Sequence, residues 1–144
     1  MNELKKEIER PEIFNAIRNS IADARYSAKK LAEVFTENIQ PLRMEENETV
    51  FVNFIQNIKE LECFLDFIKQ LKEGMRFFDG FGLPSDPFMS QDSGVNLFNE
   101  MNSALESKDW IMLSDLIEYE LSPLLMKEDE WLSALDEKIM KYDA

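Results

Sequence analysis

Histidine is absent from the 144 residues of this chain. Ser-His-Asp and Cys-His catalysis both require an imidazole as general base, so the sequence excludes these mechanisms. The same absence excludes histidine-ligated metal sites, including the di-iron bundles that place a Glu-x-x-His pair on two helices. Carboxylates are the only plentiful reactive groups, so we expect no catalytic residue, no cofactor and a protein that is not an enzyme.

Cysteine is almost absent as well, because Cys63 is the only one. A single cysteine excludes an intramolecular disulfide and a metal site built from several thiolates. Its neighbours follow an apolar pattern, which predicts a small buried thiol rather than a nucleophile.

Glycine and long apolar runs are also scarce. No Gly-x-x-x-x-Gly-Lys segment is available to hold phosphate, and Gly80-Phe81-Gly82 lacks the third glycine of a dinucleotide motif. No run of 18 apolar residues occurs, and the first ten residues do not resemble a signal peptide. These observations favour a cytoplasmic protein that does not span a membrane.

Basic residues are few beyond the first third of the chain. Residues 1–43 contain 8 Lys or Arg and 7 Asp or Glu, whereas residues 44–144 contain 8 and 22, for a total net charge of −13. Such an acidic surface repels phosphate, so we expect no binding to nucleic acid or anionic lipid. The expected partner is another protein or a second copy of the chain.

The residues that are abundant predict helices. Val and Thr are rare, while Leu, Ile, Phe, Met, Glu and Lys dominate, and apolar side chains recur at steps of three and four. We therefore predict one all-α domain over residues 1–144: an up-down helical bundle with two long antiparallel helices, a short third helix and a proline-kinked fourth. The predicted apolar faces are Ile13, Ile17, Ile21, Ala24, Ala28, Leu31, Phe35 and Ile39; Phe51, Phe54, Ile58, Leu61, Leu65, Ile68 and Met75; Val95, Phe98, Met101 and Leu105; and Trp110, Leu113, Ile117, Leu121 and Leu124.

Two charged residues interrupt these apolar faces. Lys72 falls on the face of the second helix, and Glu128 on the face of the fourth. Pro11 is expected in the first turn of the first helix, which should end before Pro41. Pro123 should kink the fourth helix around residues 119–123, with a break at 127–129 as the alternative.

One long irregular segment separates the second and third helices. Residues 79–94 hold three Gly and two Pro, and loops of this length are often functional. The segment nevertheless carries four large apolar residues, so we expect it to fold back across the end of the bundle. The segment either forms part of an ordinary core, or it covers or lines an apolar groove that binds a partner helix or a second copy of the chain. The candidate interaction residues here are Phe81, Leu83, Phe88 and Met89.

A second candidate group lies beside Pro123. Tyr119 is flanked by Glu118 and Glu120, and its hydroxyl is expected to bond a backbone carbonyl left open by the proline, with ligand contact as the alternative. Asp115 and Glu118 lie one turn apart, but a metal site needs more converging oxygens, so we expect a solvated acidic face instead.

Two short segments resemble known families. Residues 104–110 followed by Leu113 are similar to the inter-helix turn of tetratricopeptide repeats, although that fold needs several stacked copies and only one such turn is present. The segment Asp-Leu-Ile-Glu-Tyr-Glu-Leu at 115–121, with Pro-Leu-Leu at 123–125 and the later Trp131, resembles a segment of small uncharacterised helical proteins of bacteria. The resemblance implies a bacterial, cytoplasmic helical domain and no catalytic residue.

Three functions remain open at this stage. The first is a non-enzymatic protein-interaction domain of adaptor, chaperone or regulatory type. The second is an acidic neutralising protein, of immunity or nucleic-acid-mimic type, because residues 77–126 hold nine acidic groups and one lysine. The third is a carboxylate-based metal-binding protein or enzyme, which would need a deep pocket and a carboxylate of raised pKa.

Overall fold

A computed structural model of the chain describes residues 2–44, 48–76, 78, 81–83, 86–88 and 93–143, with side chains at all of these except 2–11, 48, 93 and 143. The helices are α1 (Asn2–Arg43), α2 (Glu48–Met75), α3 (Ser93–Glu106), α4 (Trp110–Leu116) and α5 (Ser122–Asp143), with a π-helical segment, Ile117–Leu121, between α4 and α5. No strand occurs within these ranges, so the predicted all-α bundle is confirmed.

Helix α1 is the element on which the others pack. It contacts α2 on one side and α4 and α5 on the other, while α3 packs on α4. The rings of Phe35 and Phe54 lie 6.2 Å apart near the α1–α2 connection, and those of Phe14 and Phe78 lie 4.9 Å apart at the opposite end. The two long helices are therefore antiparallel, as predicted.

Both ends of α1 differ from the prediction. The helix starts at Asn2, so Pro11 lies inside it rather than in its first turn, and residues 2–10 are rich in the helix-favouring residues Glu, Lys and Leu. At the other end the helix continues past Pro41 to Arg43. An interior proline costs about 3 kcal/mol, and the contacts of the last turn offset this cost: Leu42 is buried, and Arg43 binds two carboxylates of the opposite helix.

Ion pairs fix the register of α1 against the helix that runs back along it. Arg18 Nε lies 3.0 Å from Asp136 Oδ1, and Arg25 Nε lies 2.9 Å from Asp129 Oδ1. At the other end, Arg43 Nη2 lies 2.9 Å from Asp115 Oδ1. These ion pairs partly explain the uneven charge of the sequence. Helix α1 supplies the cations for the acidic α4 and α5, so the first 43 residues are near neutral and the remainder is acidic.

The predicted turn between α3 and α4 is confirmed. Asp109 caps α4, since its Oδ1 accepts the backbone N–H of Met112 at 3.1 Å. The preceding residue, Lys108, adopts a φ of 56°, and the N–H of Asp109 donates to the carbonyl of Ala104 at 2.8 Å. The left-handed residue closes the end of α3 and allows the tight reversal.

The perturbation caused by Pro123 takes the form of a π turn. Ser122 donates its N–H to the carbonyl of Ile117, five residues back, and the chain stays helical from Trp110 to Asp143. The prediction of a continuous helix is confirmed, and the alternative break at 127–129 is wrong. The extra residue in the turn also shifts the apolar phase by one position, so that Leu125 rather than the predicted Leu124 is fully buried.

Three other burial predictions are wrong. Ile13 is 45% exposed, and its neighbour Phe14 is buried in its place. Cys63 is exposed, because α2 buries the adjacent Phe64 against α1. Val95 is 55% exposed, because α3 turns Leu97, rather than Val95, towards the core.

Candidate functional site

An open apolar groove lies between α2 and α3. It has a volume of about 640 Å³, in the range of ordinary ligand pockets. Helix α2 contributes one wall and α3 the other, while Phe88 from the connecting segment closes one end. The apolar residues that line the groove are Phe54, Ile58, Leu65, Phe88, Val95, Phe98, Met101 and Leu105.

The groove exists because α3 has two apolar faces. Leu97, Met101 and Ala104 are buried against the bundle, with α4 as the helix on which α3 packs. Val95 and Phe98, which the sequence analysis assigned to the buried face, instead line the groove together with Leu105. A helix of this kind buries one face and leaves a second apolar face in contact with water.

Helix α2 shows the same division. Its wide apolar stripe supplies Leu61, Phe64 and Ile68 to the core, while Ile58 and Leu65 are only half-buried and face the groove. An apolar stripe wider than one packing surface needs is a signal in the sequence from which this groove could have been predicted.

The wall formed by Phe88 is held by polar contacts. Asp86 Oδ1 accepts the backbone N–H of Phe88 at 3.0 Å, and Gly94 donates its N–H to the carbonyl of Phe88 at 2.9 Å. The ring of Phe88 stacks with that of Phe98 at a centroid distance of 6.4 Å. A side chain at position 94 would overlap the Phe88 carbonyl, so glycine is required for this close approach.

Below the groove wall lies a buried-carboxyl cluster formed by Lys72, Asp86 and Glu128. Lys72 Nζ lies 3.4 Å from Asp86 Oδ2, and Glu128 is completely inaccessible to solvent. Neither carboxyl oxygen of Glu128 accepts a hydrogen bond from a described residue. Burial first, and then the hydrogen bond that the protonated carboxyl group shares with Asp86 and the negative charge of Asp86, raise the pKa of Glu128 from 4.5 to about 9, so this side chain is protonated at neutral pH.

The two charged interruptions of the apolar stripes thus meet in one place. Lys72 on α2 and Glu128 on α5 both face Asp86 on the intervening segment. The sequence signal was present in each helix separately, but only the tertiary structure brings the two residues together. Glu128 is fully buried and lines neither this groove nor a second groove, between α1 and α2, whose lining includes Asp23, Tyr26 and Glu60.

The four candidate residues of the 79–94 segment do not act as one surface. Phe81 is buried against Tyr142, with ring centroids 5.5 Å apart, and Lys138 lies over its ring and donates to the carbonyl of Gly82. Leu83 is half-buried against the core, Phe88 forms the groove wall, and Met89 lies outside the described residues. Of the three described, only Phe88 therefore reaches the groove.

The candidates beside Pro123 are also separated. Tyr119 is 70% exposed, and the expected hydrogen bond from its hydroxyl to a backbone carbonyl does not occur among the described residues. Glu118 Oε2 lies 2.5 Å from Arg43 Nη2, and Glu120 is exposed. The hydrogen bonds that Arg43 donates to Glu118 and then to Asp115 raise the pKa of Arg43, so these two acids serve an ion pair between helices.

The described ranges contain neither a metal-binding group of side chains nor a helix suited to cross a membrane. Within them, no three Cys, Asp or Glu side chains are grouped so that they would hold a metal ion. No helix in the same ranges combines the length and the apolar character that crossing a bilayer requires.

Comparison with known proteins identifies the family of the chain. The model of the family described as "Domain of unknown function (DUF8042)" matches residues 28–130, which is well over half of the 144 residues. The chain belongs to this family. No curated protein and no solved structure matches the chain. The part matched by the DUF8042 model includes both walls of the groove, the buried-carboxyl cluster and the π turn.

Proposed function

We propose that this DUF8042 domain is a non-enzymatic protein-interaction domain, of adaptor, chaperone or regulatory type, that binds its partner in the α2–α3 groove. The observation that carries the proposal is the second apolar face of α3, where Val95 is 55% exposed and Phe98 is only half-buried. Removing apolar surface from water contributes about 25 cal/mol per Å². Covering the exposed part of Val95 and the half-buried side chains around it therefore provides free energy for binding.

The acidic neutralising role is the weaker candidate. A protein of that kind presents unpaired carboxylates to its partner, whereas Asp115 and Glu118 in the acidic part of this chain are paired with Arg43. The bacterial origin and cytoplasmic location expected from the sequence form part of our proposal and are supported by the resemblance at residues 115–125 and by the single cysteine.

Affinity capture with matched variants tests the proposal. Phe98→Ser removes the largest aromatic side chain of the α3 wall, and Val95→Ser changes an exposed side chain that the fold does not need. Tyr26→Ser is the control, since Tyr26 is 70% exposed and lines the separate groove between α1 and α2. We expect a stoichiometric partner on the wild type and the control that is lost from both groove variants, with unchanged circular dichroism. An identical set of proteins on all four chains would refute the proposal.

A further inference from the structure

We propose that the α2–α3 groove binds an amphipathic helix of a partner protein, about three turns long, whose apolar face is bordered by Lys or Arg. This inference rests on the proposed function and specifies the chemistry of the partner.

The dimensions of the groove fit a helix. On α3 the lining extends from Gly94 to Leu105, and on α2 from Phe54 to Lys69. At 1.5 Å per residue the α3 wall is about 16 Å long and the α2 wall about 22 Å long, so the shorter wall corresponds to about three helical turns. A helix placed between them buries apolar residues at positions i, i+3 or i+4 and i+7, which is the usual pattern of helix-in-groove binding.

The α2 edge of the groove is acidic. Glu62 and Asp66 are exposed there, and among the described residues Lys69 is the one base that lines the groove. The α3 edge carries the uncharged amides Asn99 and Asn102. Cations along the border of a bound helix that faces α2 would therefore meet carboxylates, which favours association and orients the helix.

The same charges argue against a second copy of the chain as the occupant. Each copy carries a net charge of −13, so two copies that meet at this groove would bring like charges together. The long helices α2 and α5 of a second copy are also poor occupants of the groove, because each already buries an apolar face on α1.

Synthetic peptides provide a test with a defined ligand. The first peptide has about 14 residues, with Leu at i, i+3, i+4 and i+7 and Lys on both borders. The second peptide replaces each Lys with Glu, and the third keeps Lys and replaces each Leu with Ser. We expect the Lys/Leu peptide to bind with a Kd of about 10 μM by fluorescence anisotropy, and each of the other two to bind at least about tenfold more weakly. Increasing salt should weaken the binding of the Lys/Leu peptide.

Charge reversal gives a matched control. The double variant Glu62→Lys, Asp66→Lys should weaken the binding of the Lys/Leu peptide about tenfold or more and strengthen the binding of the Glu/Leu peptide. The same reversal at Asp23 and Glu60, which are exposed in the groove between α1 and α2, changes the net charge equally and should leave both affinities within about threefold.

Several outcomes would overturn the inference. Equal binding of the Lys and Glu peptides, or equal effects of the two charge reversals, would refute the basic border. Binding of a free fatty acid but of neither peptide would show that the groove has a different occupant. A stable dimer in light scattering that Val95→Ser converts to a monomer would show the same. If no peptide binds while Phe98→Ser and Val95→Ser still lose a captured partner, this inference fails and the proposed function stands. If those variants retain the partner, the proposed function itself fails.

Discussion

The buried Glu128 makes the stability of the protein depend on pH in a direction opposite to that of a salt-bridged carboxylate. Burial and the Asp86 carboxylate raise the pKa of Glu128 from 4.5 to about 9 in the folded state. The folded state therefore keeps a proton on Glu128 between these pH values, while the unfolded state has lost it. The contribution of Glu128 is fully present below pH 4.5 and is lost as the pH rises towards 9.

Glu128→Gln should remove this dependence. Glutamine has the shape of the protonated glutamate, stays neutral at every pH and supplies amide protons towards Asp86. Each pH unit above 4.5 corresponds to about 1.4 kcal/mol, so the variant should be more stable than the wild type by about 3 kcal/mol at pH 7. The difference should shrink to near zero at pH 4.5.

Urea denaturation followed by circular dichroism at half-unit steps from pH 4.5 to 8.5 measures this difference directly. The quantity to compare is the free energy of unfolding of the variant minus that of the wild type, because the many other carboxylates cancel in it. Glu130→Gln is the control, since Glu130 is exposed on the same helix and its replacement should change the free energy of unfolding by less than about 0.5 kcal/mol. A difference for Glu128→Gln that does not rise with pH, or a variant less stable than the wild type at pH 8, would refute the argument.

Three further predictions concern packing, ion pairs and exposure. Gly94→Ala should destabilise the fold by about 1–3 kcal/mol in thermal unfolding, because the added carbon overlaps a backbone carbonyl, whereas Gly74→Ala in an open part of α2 should stabilise it by about 0.5–1 kcal/mol; the reverse order would contradict the close approach. Arg25→Met should cost about 2–3 kcal/mol because it leaves the buried Asp129 with only the more distant Lys29, at 4.0 Å, whereas Arg18→Met, in a more exposed pair, should cost less than about 1 kcal/mol; equal losses in urea denaturation would refute the difference. Cys63 should react with a thiol reagent as fast in the native protein as in denaturant, and strong protection would show that it is buried.

Much of the fold was predictable because helix formation and helix burial follow from local spacing. The residues at Leu61, Phe35 and Ile117 lie on the predicted stripes and are fully buried. The same reasoning failed at Ile13 and Val95, where a shift of one or two residues along the helix decides which side chain is buried. A wide apolar stripe does not specify which of its residues face the neighbouring helix.

The candidate site was only partly predictable. Among the described candidates of the connecting segment at 79–94, Phe88 alone lines the apolar groove, since Phe81 packs in the aromatic cluster with Tyr142. Lys72 and Glu128 stood out as charged residues on apolar stripes, but nothing in their spacing along the chain indicated that they share Asp86.

The sequence by itself determined the helical character of the chain, its acidic charge, the cap at Asp109 and the disturbance at Pro123, because each depends on residues within a turn or two of one another. The tertiary structure decided which apolar face of α3 is buried and which lines the groove, and it placed Glu128 beside Asp86. These features depend on how helices distant in sequence are rotated about their axes when they pack on α1. That rotation follows from the sum of many contacts across the bundle, and no local pattern along one helix specifies it.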